Sequence, residues 1–106
     1  MSRRVQLHCD VAIDPTRAAE AEHYFETVYR PEAAKFDGYV DLQLLKLQAV
    51  LEGQAPVGMT HRFSITYTSE DLRMAWVRSD VHQVVWPKFS SYLTSHTFDF
   101  ILFDVI

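Results

Sequence analysis

The sequence predicts an α+β fold with elements in the order β-α-β-β-α-β, and three observations carry that prediction. A strand-period segment opens the chain, a long helix-period segment lies late in it, and an aromatic strand closes it. The long helical stretch, Ser69 to Leu93, organises the rest. Its apolar residues Leu72, Ala75, Trp76, Val81, Val84, Val85, Phe89, Tyr92 and Leu93 follow the i, i+3, i+4 spacing of one helical face. Such a helix must lie on a sheet.

The first strand spans residues 5 to 13. Val5, Leu7, Cys9, Val11 and Ile13 occupy one face, and Gln6, His8, Asp10 and Ala12 the other. Asp14 and Pro15 read as an N-cap followed by proline in the first helical turn. From Ala18 through Ala21, Phe25, Val28 and Tyr29 the period is helical, with Glu20, Glu22 and Glu26 facing water. Pro31 is expected to break or kink this helix, and Gly38 to end it.

Residues Tyr39 to Val50 and Thr60 to Thr68 are strand-like and joined by a loop holding Gly53, Pro56 and Gly58, so they should pair as a hairpin with a long tip. Ser69 then fits an N-cap, with Glu70 and Asp71 in the first turn. Ser79 and Asp80 look like a second start that redirects the axis, and Pro87 predicts a further kink. Thr97 to Ile106 is the fourth strand. The sum is a ferredoxin-like, split βαβ arrangement with a four-stranded antiparallel sheet.

The fourth strand speaks about assembly. Phe98, Phe100 and Leu102 point one way and Ile101, Phe103 and Val105 the other, so both faces are apolar. Two helices cover only one face of a four-stranded sheet. The expected cover for the second face is a symmetric partner whose sheet packs against it, giving a homodimer.

Composition bounds the function. The 106 residues are expected to form one domain, residues 1–106, and 48% hydrophobic content supplies its core. A net charge of −4 with no basic stripe argues against nucleic acid or an anionic membrane as partner. No apolar run has the length of a signal peptide or a transmembrane span, and the chain is expected in the cytoplasm. Cys9 is the single cysteine, which excludes an intramolecular disulfide and cysteine-paired metal sites.

The helix ending in KFDGYVDLQLLKL, the hairpin, the run FSITYTSEDLRMAWVRSDVHQVVW and the final aromatic strand resemble the dimeric α/β-barrel superfamily. Within it the chain is most similar to antibiotic-biosynthesis monooxygenase-like proteins, and HYFETVYRP resembles EthD-like proteins. The resemblance covers nearly the whole chain. It implies a barrel of two facing sheets and a pocket in each protomer between sheet and helices. The activities it implies range over cofactor-free oxygenases acting on polycyclic phenols, heme-degrading oxygenases and isomerases. The heme-degrading constellation does not carry over, because its asparagine falls at Cys9, its tryptophan at Tyr67 and its ligating histidine at Trp86. The chain contains no asparagine. The EthD-like histidine falls at Tyr29.

The candidate catalytic residues are His82, His8 and Asp10. His82 follows the second helix start and could act as acid or base near neutral pH, or be a cap-region histidine bonded to backbone. His8 and Asp10 share a strand face and could orient one another in a pocket, or form a solvated or dimer-buried pair. Candidate substrate-binding residues are Tyr67, Trp86, Trp76 and Cys9, each of which also reads as an ordinary core residue. His61 is expected to be exposed. A metal on His8, Cys9 and Asp10 is not expected, because adjacent strand residues face opposite ways, and no bound cofactor is expected. Three functions follow: an oxygenase acting on an aromatic or hydrophobic metabolite, a non-catalytic binder of such a molecule, or a dimeric accessory module, with an EthD-like protein as a further alternative.

Overall fold

The computed structural model describes residues 3–94 and 98–106. Its strands are β1 (Val5–Val11), β2 (Tyr39–Lys46), β3 (His61–Tyr67) and β4 (Phe100–Asp104). They form one antiparallel sheet in the order β2-β3-β1-β4. The helices α1 (Ala18–Tyr24), α2 (Arg30–Ala33), α3 (Glu70–Val77) and α4 (His82–Ser90) fill the connections. The ferredoxin-like α+β expectation therefore holds, with β2 and β4 at the sheet edges and β2 paired to β3 across the long loop.

Strand pairing decides which residues share a face. Cys9 lies opposite Phe63 on β3 and Phe100 on β4, and Leu7 lies opposite Ile65 and Leu102. These residues, with Leu42 and Leu44 of β2, look toward the helices. The other face carries Gln6, His8 and Asp10 beside Thr66, Ser64 and Arg62. No helix covers it.

The first helix is irregular ahead of Pro31, where a break or kink was expected, and continues through it. Pro31 has no N–H for the carbonyl of Thr27, and the chain answers with a wider π turn over Phe25–Tyr29 before resuming as α2. Phe25 and Tyr29 are buried one above the other, ring centroids 5.9 Å apart. They dock against Phe63 and Phe89, and this aromatic group is the centre of the core.

Gly38 takes φ +85° after the helix. A Cβ there would lie 2.6 Å from Cδ1 of Leu72 and 2.9 Å from Oγ1 of Thr68, so glycine is required by both backbone and space. The turn brings β2 directly beneath the start of α3.

The expected division of the long helix is present. The Ser69 hydroxyl accepts from the Leu72 N–H at 3.3 Å and caps α3. At the break, the Ser79 hydroxyl donates to the Trp76 carbonyl at 2.7 Å and accepts from the His82 N–H at 3.1 Å. One side chain thus closes α3 and opens α4. The end of α4 is stitched to the end of β1 through Asp14 N–H to the Tyr92 carbonyl and Thr94 N–H to the Ala12 carbonyl, both 2.9 Å.

Strand boundaries are narrower than the sequence pattern suggested. β2 stops at Lys46, where the loop takes over, and β4 begins at Phe100; Thr97 and His96 lie outside the described residues. Four consecutive apolar residues of β4, Phe100 to Phe103, remain between 43% and 52% exposed. Neither of its faces is fully covered within one chain.

Candidate functional site

The helix-covered face is not completely filled. Between it and the helices lies a cavity of about 390 Å³, within the range of small-molecule sites. Its floor is Leu7, Phe63 and Ile65, and it reaches the β4 edge at Phe100 and Leu102. Its roof comes from α3 and α4, through Met74, Trp76, Val77, His82 and Trp86, with Arg73 alongside.

The tryptophans shape this space. Trp76 is 2% exposed, stands edge-on to Phe36 at 5.0 Å and to the His82 imidazole at 5.1 Å, and so braces the histidine ring. Trp86 meets Phe63, Phe98 and Phe100 at 5.7–5.9 Å, forming an aromatic collar on the β4 side. Such edge-to-face packing fixes ring positions as well as burying area.

Besides the Tyr29 phenol, two ionisable side chains line the cavity. Burial, and secondarily the positive charge of Arg73, hold the His82 imidazole below its ordinary pKa, which favours its uncharged form. Among the described residues its ring nitrogens have no side-chain or backbone partner, and no buried polar side-chain atom is left unsatisfied, so those nitrogens are reachable from the cavity. Arg73 is tied to Glu70, Nε to Oε2 at 2.7 Å and Nη2 to Oε1 at 2.6 Å. That pairing holds the Glu70 carboxyl below the usual carboxylate range.

The sequence candidates separate into two groups. His82, Trp76 and Trp86 meet at the cavity. His8 and Asp10 lie on the opposite face, and they do not orient one another: His8 Nε2 lies 2.6 Å from Gln6 Oε1, and Asp10 accepts from Arg62 Nε at 2.7 Å. Cys9 does face the helices, but at 0% exposure it is packed under them and not at the cavity, and burial with the nearby Asp10 and Asp99 charges pushes its thiol up to about 12. Tyr67 is equally buried and its hydroxyl donates to the Ala33 carbonyl at 3.2 Å, which ties the sheet to α2 and keeps the phenol away from the cavity.

His61 is corrected from exposed to 2% exposed. It borders a second, more polar groove of about 420 Å³ with Glu22, Glu26, Arg30 and Lys46. Both its nitrogens are engaged, Nε2 with Glu22 at 2.9 Å and Nδ1 with Thr60 at 2.8 Å. Those bonds pin α1 to the sheet, leaving no free histidine nitrogen in that groove. Among the described residues no group of His, Cys, Asp and Glu could hold a metal ion, and no helix is long and apolar enough to cross a membrane.

Sequence reading missed Arg73. The signal was present, because Arg73 precedes Trp76 and Val77 by three and four residues and so shares their inward stripe. Its partner Glu70, also three residues away, makes that placement affordable.

A four-stranded antiparallel sheet in the order β2-β3-β1-β4 with helices on one face is the ferredoxin-like arrangement of α+β proteins. Solved structures share this fold. SnoaB, a cofactor-independent oxygenase from Streptomyces nogalater, matches with a TM-score of 0.76 at 14% identity, covering 98% of this chain and 94% of that one. A dimeric ferredoxin-like protein of unknown function from Jannaschia matches with a TM-score of 0.79 at 10% identity, covering 96% and 99%. An EthD family protein from Bacillus halodurans matches with a TM-score of 0.70 at 16% identity, covering 97% and 99%. Other matches of this fold are described as candidate antibiotic biosynthesis monooxygenases. At these identities the likeness is one of fold. No family model and no curated protein matches the sequence.

Proposed function

We propose that the chain is a small-molecule oxygenase of the antibiotic-biosynthesis monooxygenase-like type, acting without a bound cofactor on an aromatic or hydrophobic metabolite. The observation that carries this reading is an imidazole with no partner among the described residues, its pKa lowered by burial, at the wall of a mostly apolar and aromatic cavity. A flat ring system fits between the Trp86 collar and the sheet. There His82 removes a proton from an activated C–H, and the electron pair left on carbon reduces dioxygen. For a methylene substrate one oxygen atom stays as a carbonyl and the other leaves as water, so the substrate supplies every electron. The protein supplies desolvation, orientation and the base.

Residues 1–106 act in this reading as one domain, in the cytoplasm, and as a homodimer whose partner sheet covers the open face and the outer side of β4. The dimeric neighbour supports that assembly. The test is oxygen consumption over a panel of polycyclic phenols with no added flavin, heme or metal. Turnover by the wild type and its loss in His82→Gln, with the melting temperature little changed, is the expected result. Binding without oxygen consumption across the panel would leave a non-catalytic binder, and turnover unaffected by His82→Gln would remove the base.

A further inference from the structure

Arg73 is an expensive residue to place where it stands. Its side chain is 12% exposed, it borders a cavity whose other walls are almost wholly apolar or aromatic, and it has five N–H donors to satisfy. Glu70 takes Nε–H and one hydrogen of Nη2, and the second Nη2 hydrogen goes to Sδ of Met74 at 3.3 Å. Among the described residues Nη1 has no partner. Since no buried polar side-chain atom there is unsatisfied, Nη1 is not sealed in protein. With so little of the side chain exposed, and the cavity beside it, the two Nη1 hydrogens are available to whatever occupies the cavity.

Structure alone would not ask for this arrangement. An i,i+3 arginine–glutamate pair on a helix surface contributes little, and one with a terminal nitrogen left over beside an apolar space costs desolvation that an alkyl side chain would avoid. The bidentate clasp does have one effect that matters to a ligand. It fixes the guanidinium plane, so the free edge is held in a single orientation before anything binds.

We infer that Arg73 anchors an anionic oxygen of the ligand, and that the molecule bound here is an aromatic ring system carrying one acidic oxygen, held by Nη1 at one end of the cavity while the rings lie against Trp86. This deepens the proposed function and rests on its cavity. Glu70 is the positioning residue, acting only through Arg73. The requirement discriminates against neutral aromatics of the same shape, which leave Nη1 desolvated and unpaired.

The experiment compares three probes of nearly equal shape, 2-naphthoate, 2-naphthol and 2-methoxynaphthalene, by calorimetric titration of the full chain. Wild type should bind the acidic probes more tightly than the methoxy compound, by about ten- to hundredfold for the carboxylate as expected for a charge-assisted bond. Arg73→Gln should erase that preference while keeping the methoxy affinity, which also reports that the variant is folded. Glu70→Gln should reduce the preference partially, and Arg73→Lys should retain part of it as a less directed charge. A preference for acidic probes that survives Arg73→Gln overturns the assignment and leaves the cavity reading intact. Equal binding of all three by wild type overturns it as well, and failure of wild type to bind any of them removes the cavity reading together with this inference.

Discussion

The two faces of the sheet are built from the same strands and follow opposite rules. The covered face is aromatic and closely packed, with Phe63, Phe25, Tyr29 and Phe89 in mutual contact, and it opens into the apolar cavity under α3 and α4 and into the polar groove beside His61. The open face is polar across its middle, where Gln6 bonds Thr66 and His8 and Asp10 pairs with Arg62, and apolar along β4. Because alternation sends neighbours to opposite sides, the polar residues of β1 cannot reach a cavity that lies beneath Cys9's face. The cavity and the open, partly apolar surface therefore lie on different sides of one sheet.

The largest effect should come from the covered face. Phe89→Ala removes a fully buried ring from the aromatic centre and should cost about 3–5 kcal/mol in denaturant unfolding. A loss under about 1 kcal/mol would mean that the face is far less tightly packed than its ring contacts imply.

Next in size is a separation of association from folding. Phe103 faces the open side and touches His8 at 4.9 Å, whereas Phe100 lines the cavity. Phe103→Asp should shift a micromolar homodimer to monomer in light scattering while the chain stays folded. Phe100→Asp should instead weaken binding of aromatic probes. A wild type that is monomeric at every concentration, or a Phe103→Asp dimer, would show that the open face is not the interface.

The smallest effect is on the acid side. His82 is held below its ordinary pKa by burial and Arg73, and His8 by burial and Arg62 against an opposing pull from Asp10. A histidine of lowered pKa binds protons more readily in the unfolded chain, so stability is complete above the unfolded value of about 6.5 and is lost as pH falls below it. The melting temperature should fall from pH 7 toward pH 5, and His82→Gln should flatten part of that slope. A flat profile in wild type would contradict the burial of both rings. Glu70 and Asp14, whose pKa values are lowered, add their losses only in the more acidic carboxylate range.

Much of this architecture was legible in the sequence because it rests on period and caps. The alternation of β1, the Ser69 and Ser79 caps and the two apolar sides of β4 are local patterns with local causes. The fate of Pro31 was legible only in part, since its missing N–H announces a disturbance of the helix but not that a π turn over Phe25–Tyr29 would absorb it. The site was half legible. Trp76 could be named from the helix stripe, His82 from its place after the second helix start and Trp86 as an aromatic of the same stretch, but only the three-dimensional pairing shows that the Tyr67 hydroxyl goes to Ala33 and that His8 and Asp10 face away. His61 read as exposed because it adjoins a loop; its burial comes from Glu22, distant in sequence, reaching over it.

The proposed function requires that the ligand bind in the cavity under α3 and α4, and the chain carries its own reporter for it. It has two tryptophans, and both line that cavity. Titration with 2-naphthoate, with excitation and emission set to the indoles and corrected for probe absorbance, should give saturable quenching of tryptophan emission with the same midpoint as calorimetry, and Trp86→Phe should remove a large part of the signal. Calorimetric binding that leaves the emission of both tryptophans unchanged would place the ligand elsewhere on the molecule and contradict the claim.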